Sequence, residues 1–488
     1  MLKAVVVGAG IAGIASAIRL TKKGFRVEVF ESNDYPGGKL SEIHGNGFRF
    51  DAGPSLFTMP QYVNELFKLA GKDPENYFEA QKLDLVCKYF YPDGTVIDAW
   101  SDQEKFAQEI ELKTTDNGAS VKKFLKKSAE IYLITNHIFL EKSLHLISSY
   151  LNIQTVRSVL NFLRIDPLRT MNAANQSSFH DKKTIQLFNR YATYNGSDPY
   201  RAPATLNVIP HLEHHYGAYF PVNGMYSITT SLVKLAEEHG VVLHYNSPVT
   251  EIIIESGKVK GLRVKNEVVQ ADLVVSNMDI WFTYKNLLPS VGIPERIIRQ
   301  ERSSSALIFY WGIKKKFEQL DLHNIFFAGD YQEEFRHIWS EKDICSDPTI
   351  YVNISSKLKP DDAPEGSENW FVMINVPANE GQNWDLLISD ARKNILAKLT
   401  ASLGFDIGSL ISFEEILDPR TIESKTSSYQ GSLYGTSSNN RFAAFLRHAN
   451  FSKKIKNLYF VGGSVHPGGG IPLTLLSARI VDGMIAPV

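Results

Sequence analysis

Two cysteines in 488 residues, Cys87 and Cys345, are too few for a disulfide framework or a cysteine-based zinc site. Neither has a partner at Cys-x-x-Cys spacing, and both read as ordinary thiols. Charge of one sign is also missing: 52 Lys and Arg stand against 53 Asp and Glu, a formal net charge of -1. Without an excess of positive charge there is no overall field for a polyanion, so nucleic acid is not expected as a partner. No apolar run reaches the roughly 18 to 20 residues that cross a bilayer. The first residues form a strand and a glycine loop where a secretory leader would need a basic stretch, an apolar core and a cleavage site, so the expected location is the cytoplasm. A Gly-x-Ser-x-Gly elbow is absent too, which removes the simplest hydrolase reading.

What is present is apolar. Hydrophobic residues make up 43% and aromatics 11%, enough for a large core and an apolar pocket besides. The length exceeds what one core usually supports, and two or three domains are expected. Ala4 to Val7 is a β-branched run ending at Gly8, and a helical rhythm follows until Gly24. Val27 to Phe30 then closes a strand–helix–strand unit. Gly8-Ala9-Gly10-Ile11-Ala12-Gly13 therefore sits where a dinucleotide fingerprint belongs. Gly8 permits the tight turn, Gly10 lets the backbone approach a diphosphate, Gly13 lets helix and strand pack, and the amides of Ile11 and Ala12 open the helix. Glu31 ends the second strand, where a carboxylate accepts hydrogen bonds from an adenosine ribose. Asn277 follows the buried-type strand 272–276, in the ligand-facing position of a doubly wound sheet.

The fingerprint alone does not separate NAD from FAD. Pro36-Gly37-Gly38-Lys39 and Asp51-Ala52-Gly53-Pro54-Ser55 extend it in a way similar to flavoproteins of the amine oxidase and carotenoid desaturase superfamily. Residues 457–472, with Gly462-Gly463, His466 and Gly470-Ile471-Pro472, resemble the C-terminal signature of bacterial-type carotenoid desaturases. The stretch from Glu213 to Met225 is similar to a family segment, departing at Asn223 where glycine is usual, and Tyr194 to Pro199 also fits. Within the family the chain most resembles the hydroxycarotenoid 3,4-desaturase branch.

The resemblance implies an α/β fold: an FAD-binding Rossmann-type domain like that of glutathione reductase, a mixed-sheet substrate domain and a helical cap. The expected partition is 1–80, 217–289 and 447–488 for FAD binding, 81–112, 171–216 and 290–446 for substrate, and 113–170 for the cap. FAD is the expected cofactor. Lys39 is implied to pack on its phosphate side, Ser55 and Leu56 near the flavin, Val249 at the adenine edge, and Gly462, Gly463, Gly470 and Ile471 on the ribityl and diphosphate side. His466 is the candidate catalytic residue. Arg201, His211 and Glu213 are candidate polar contacts to substrate. A metal cluster drawn from His211, Glu213, His214 and His215 is rejected, since flavin chemistry of this kind gives a metal no task. The implied reaction is insertion of a carbon–carbon double bond into a carotenoid, with oxygen or a quinone as final acceptor. Phytoene or another acyclic carotene is the alternative substrate, and a non-catalytic lipid-binding escort of the same fold the alternative of another class.

Three aromatic segments, Tyr89-Phe90-Tyr91, Ile308-Phe309-Tyr310-Trp311 and Ile325-Phe326-Phe327, are expected to wall the polyene tunnel. In residues 120–169, Lys122, Lys123, Lys126 and Lys127 alternate with Phe124, Leu125, Ile131 and Leu133. Two or three amphipathic helices are expected there, with lysines toward headgroups and apolar residues toward lipid on the inner membrane face.

Overall fold

The structure is a computed structural model that describes residues 1–150 and 161–488. Five parallel strands form its first layer, in the order Val242–His244, Arg26–Phe30, Lys3–Val7, Leu273–Ser276, Leu458–Phe460. These strands are short and apolar because helices cover one face and other apolar elements the other. Ile11–Lys22, Tyr226–Glu238 and Ile471–Asp482 pack in one core cluster with alternate residues of the strands. The opposite face, including Val5, Val7 and Phe30, meets an antiparallel meander of Val249–Glu255, Lys258–Val264 and Glu267–Gln270. Sequence patterning groups residues 241–245 with that meander. In the structure Val242–His244 instead forms the edge of the parallel sheet, because its register partner is Arg26–Phe30 rather than the next hairpin strand.

A second, seven-stranded sheet runs Ile411–Leu417, Ser305–Ile313, Glu368–Val376, Ile350–Asn353, His323–Phe326, Leu85–Phe90, Val96–Trp100. All neighbours are antiparallel except His323–Phe326 and Leu85–Phe90. Side chains alternate across the pleat. Tyr89, Ile325, Tyr351, Met373 and Ile308 stand opposite one another in one cross-strand row, and His323, Asn353, Phe371 and Tyr310 form the next row of the same face. Phe90, Phe326, Phe309 and Trp311 point the other way into a core closed by the helix Trp384–Leu403. Only half of each expected tunnel segment can therefore face a ligand, since a period of two divides every strand between two faces.

Residues 120–169 are described in part. One long helix, Gly118–Thr135, is followed by single turns at Asn136–Leu140, Ile147–Tyr150 and Phe162–Ile165, and the intervening part of the expected cap, 151–160, lies outside the described residues. Phe124, Leu125 and Ile131 are buried, the first two in a core with Phe106, Phe179 and Phe188. Lys122 is paired with Glu104 and Lys127 with Asp166. Much of the apolar face of this helix is thus spent on the protein's own core, while Leu133 remains exposed.

Candidate functional site

The site begins where the parallel strands end. Gly13 has its Cα so close to the Gly8 carbonyl oxygen that a Cβ would come within 2.1 Å of it, and a Cβ on Gly10 would come within 2.5 Å of Asn277 Nδ2. Asn277 is a wedge between two glycine turns: its Nδ2 faces Gly10 and Gly13, and its Oδ1 faces Gly462. Its own amide donates to the Val7 carbonyl, which fixes the wedge to the first strand.

Two helices open at this edge, Ile11–Lys22 after Gly10 and Ile471–Asp482 after Gly470. Neither has a side-chain cap or an acidic residue in its first turn. Elsewhere Asp102, Asn117, Asp181, Asp330 and Asn383 cap their helices by accepting from backbone amides. Amides left without a capping oxygen at two helix starts beside one glycine cradle suit a dianionic diphosphate. Gly470 adopts φ +99° with open space where a Cβ would be, so backbone reaches that edge undisturbed. Gly463 packs against Gly469 across the same turn. Glu31 is held at the rim by the amides of Ala9 (2.7 Å) and Asn33 (2.9 Å). A carboxylate offers about four lone-pair positions, so capacity remains on Glu31 for a ribose hydroxyl. Ser247 donates to the Glu31 carbonyl two residues before Val249, which brings the start of the meander to this rim. The residues present thus fit FAD: cradle, anion-accepting helix starts and an acidic rim.

Lys39 is largely buried beside the cradle, its ammonium donating to the carbonyls of Ser432 (3.1 Å) and Leu433 (2.8 Å). Burial pushes its pKa down to about 8, opposed by Asp279. Because the folded value lies below the ordinary one of 10.5, the unfolded chain binds more protons between those limits, and stability rises with pH across that window. The cofactor-free protein is expected to gain stability from pH 8 to 10.5 relative to Lys39→Met, measured by urea midpoints at each pH; parallel curves for the two proteins would contradict this.

His466 is buried and donates through Nε2 to the Lys142 carbonyl (2.8 Å), tying the C-terminal glycine segment to the turns after the long helix. Burial pushes its pKa down to about 4, so the ring is neutral at physiological pH. Its Nδ1 finds no partner among the described residues.

Arg201, His211 and Glu213 are not brought together. Arg201 is exposed in a two-point ion pair with Glu301, at 3.0 and 2.8 Å. His211 stacks on His215 at 4.5 Å, its pKa pushed down to about 4 by burial and by that neighbour. Glu213 accepts hydrogen bonds from Tyr191 (2.9 Å) and Tyr194 and lies 3.6 Å from Arg190. His214 stacks on Phe106, and its Nε2 lies 3.2 Å from the Tyr191 hydroxyl. Among the described residues no three His, Cys, Asp or Glu side chains converge on a metal position.

Sequence reading missed Arg190, His323 and Tyr351, and took Tyr89 only as a tunnel wall. Arg190 is buried with its guanidinium 5.2, 4.5 and 5.1 Å from the ring centres of Tyr89, Tyr191 and Tyr194. The spacing of Arg190 and Tyr194 on one helical turn was the only local signal. The face of the large sheet that carries Tyr351 and Tyr310 is pinned to the turn at 52–55: Tyr310 donates to the Ala52 carbonyl (2.6 Å), and the hydroxyls of Tyr351 and Ser55 share a bond of 2.7 Å. Gly53 in that turn packs on the Lys39 carbonyl. Leu56 leans on the helical core beyond. Sheet face and cofactor cradle thus meet across one short turn.

A parallel sheet with two uncapped helix starts and an acidic rim, joined to an aromatic mixed sheet, defines an FAD-dependent oxidoreductase of the α/β class. The chain belongs to the flavin containing amine oxidoreductases, whose family model matches residues 11–481. It is 50% identical over 485 residues to a 1-hydroxycarotenoid 3,4-desaturase from Flavobacterium sp., covering 99% of each chain. It is 34% identical to a 4,4'-diapolycopene oxygenase from Methylomonas sp., covering 98% of this chain and 97% of that one. In fold it is similar to an oxidoreductase from Methanosarcina mazei, with TM-score 0.64, 16% identity, and coverage of 98% and 99%.

Proposed function

We propose that the protein is an FAD-dependent carotenoid desaturase that introduces a carbon–carbon double bond into a 1-hydroxycarotenoid at C-3,4. The observation that carries this is the 50% identity, maintained over 99% of both chains, to a protein of that activity. FAD, when bound, supplies the acceptor for the hydride that leaves the carbon beside the polyene. The cation left on the substrate is spread over the conjugated chain, so its neighbouring proton leaves to a weak base or water. The residues' task is then alignment and exclusion of water. The glycine edges, Glu31 and Lys39 hold the cofactor, and the face bearing Ile308, Tyr310, Ile325, Tyr351 and Met373 positions the chain. In this reading 1–80, 217–289 and 447–488 serve the cofactor, 81–112, 171–216 and 290–446 the substrate, and 113–170 covers it. Purified enzyme given liposomal 1-hydroxycarotenoid with oxygen or a quinone should yield the product with one more double bond, identified chromatographically. No product with either acceptor would overturn the proposal.

His466 has the character of a positioning residue. A neutral ring whose Nε2 is committed to a carbonyl is poorly placed to be an obligatory base. His466→Ala is expected to retain FAD and lose roughly 10²-fold or less in turnover, the range of misalignment. Anaerobic substrate should still bleach the flavin; complete loss of bleaching at every pH in a flavin-loaded variant would make His466 the base.

A bilayer-dissolved substrate calls for a peripheral membrane contact, and no described helix is long and apolar enough to cross a membrane. The contact fits the rim of a cleft of about 650 Å³ lined by Leu168, Arg169, Arg201, Arg441, Phe442 and Leu446. Leu168 is 65% and Phe442 58% exposed, beside Arg441, which suits anionic headgroups, and beside Arg169 and Arg201, which are paired with Asp166 and Glu301. Leu168→Ser with Phe442→Ser should reduce sedimentation with anionic liposomes severalfold, whereas unchanged sedimentation would move the contact elsewhere.

A further inference from the structure

Burying a polar atom without a partner costs roughly 1–3 kcal/mol, and more for a charged group. Four such atoms belong to one neighbourhood of this molecule. Nε and Nη2 of Arg190, the hydroxyl of Tyr89 and Nε2 of His323 have no hydrogen-bond partner among the described residues. Arg190 is 7% exposed, His323 3% and Tyr89 fully buried. The guanidinium lies over the Tyr89 ring, and its charge acts on His323, whose pKa burial already pushes down to about 3. Tyr89 and His323 stand on adjacent strands and on the sheet face that Tyr351 and Tyr310 pin to the turn at 52–55.

The hydrogen bonds around His323 assign its proton. Nδ1 faces the Tyr351 hydroxyl at 2.7 Å, which can donate to it while accepting from Ser55, and Asn353 Nδ2 at 3.1 Å, an amide nitrogen that also donates to the Leu322 carbonyl at 3.0 Å. An amide NH₂ only donates, so Nδ1 accepts and Nε2 carries the hydrogen. The orphaned group is therefore a donor, as are the Arg190 nitrogens. Apart from the dual-role Tyr89 hydroxyl, the neighbourhood presents N–H groups with no hydrogen-bond acceptor among the described residues, Arg190 Nη2 standing 3.6 Å from its counter-ion Glu213, amid largely aromatic side chains.

We infer that the Arg190–Tyr89–His323 cluster is the subsite that binds the terminal tertiary hydroxyl of the substrate, with these N–H groups donating to its oxygen; this rests on the hydroxycarotenoid reading above. Chain geometry agrees. An oxygen on C-1 lies three bonds from C-3, roughly 4 Å, so whatever reads it must stand close to the reacting carbons. The cluster meets that condition because its sheet face abuts the turn that packs on Lys39 and the cradle. A site built to satisfy a hydroxyl discriminates strongly against the analogue lacking it, since its donors are then left unpaired.

The test is the ratio of kcat/KM for a 1-hydroxycarotenoid to that for the same carotenoid without the hydroxyl, in flavin-loaded wild type, His323→Phe, Tyr89→Phe and His323→Gln. Wild type should prefer the hydroxylated substrate, and absence of any preference would defeat the hydroxycarotenoid reading itself. With that preference present, His323→Phe should reduce the ratio by about 10²-fold, chiefly through KM for the hydroxylated substrate. His323→Gln, which restores a donor near Nε2, should recover most of it. Tyr89→Phe, which removes one oxygen and no volume, should lower the ratio more modestly and serves alone if His323→Phe does not fold. An unchanged ratio in every folded variant means the cluster holds only water, and the inference is overturned.

Discussion

Glu213→Ala is expected to destabilise the protein by about 3–5 kcal/mol, the range for removing one partner of a buried charge pair. Glu213 is 1% exposed and compensates Arg190 at 3.6 Å in an interior that burial makes hostile to a lone cation. The hydroxyls of Tyr191 and Tyr194 lose their acceptor in the same substitution. The three tyrosine ring faces and the bond from Arg190 Nη1 to the Tyr194 hydroxyl (3.3 Å) would remain to the guanidinium, and cation–π contacts contribute roughly 0.5–2 kcal/mol each. Glu213→Gln keeps an acceptor for one tyrosine and should cost less. Denaturant midpoints of the flavin-loaded proteins measure the difference; a loss under about 1 kcal/mol for Glu213→Ala would show that water replaces the carboxylate.

Gly13→Val should all but abolish flavin binding. Its Cβ would stand 2.1 Å from the Gly8 carbonyl and 3.2 Å from Asn277 Nδ2, and both neighbours are backbone or backbone-anchored. The turn must open, and with it the helix start whose free amides suit the diphosphate. Flavin absorbance per chain after gel filtration is the readout, with less than a tenth of wild-type occupancy expected. Gly71→Ala is the control: φ is +77° and nothing lies within 4 Å, so it pays backbone strain remote from the cradle and keeps FAD. Normal occupancy in Gly13→Val would mean the cofactor does not rest on this loop.

Both predictions depend on features of different legibility. Gly13 is visible in sequence because a strand, a glycine loop and a helix follow one another locally, and hard-sphere contact within ten residues dictates the residue type. The cluster around Arg190 is not visible, since Tyr89, Arg190, Glu213 and His323 are far apart in the chain and each looks ordinary in its own segment. The lysine-rich helix shows a different limit of local sequence. Its periodicity announced an apolar face, but periodicity does not say what covers each position: Phe124 and Leu125 pack on Phe179 and Phe188, while Leu133 is exposed.

The glycine loops and the strand–helix–strand rhythm determined by themselves the α/β class and a dinucleotide site, because those features act over short stretches of chain, and the resemblance carried by residues 36–55 and 457–472 supplied the flavin and the family. Strand 242–244, by contrast, was assigned by its pairing with 26–30, and the two faces of the large sheet were decided by register across five strands. Whether a carboxylate such as Glu213 meets a substrate or neutralises a buried arginine is likewise a matter of what the fold brings within a few ångströms. Long-range pairing and burial set those outcomes, and neither is written in local sequence.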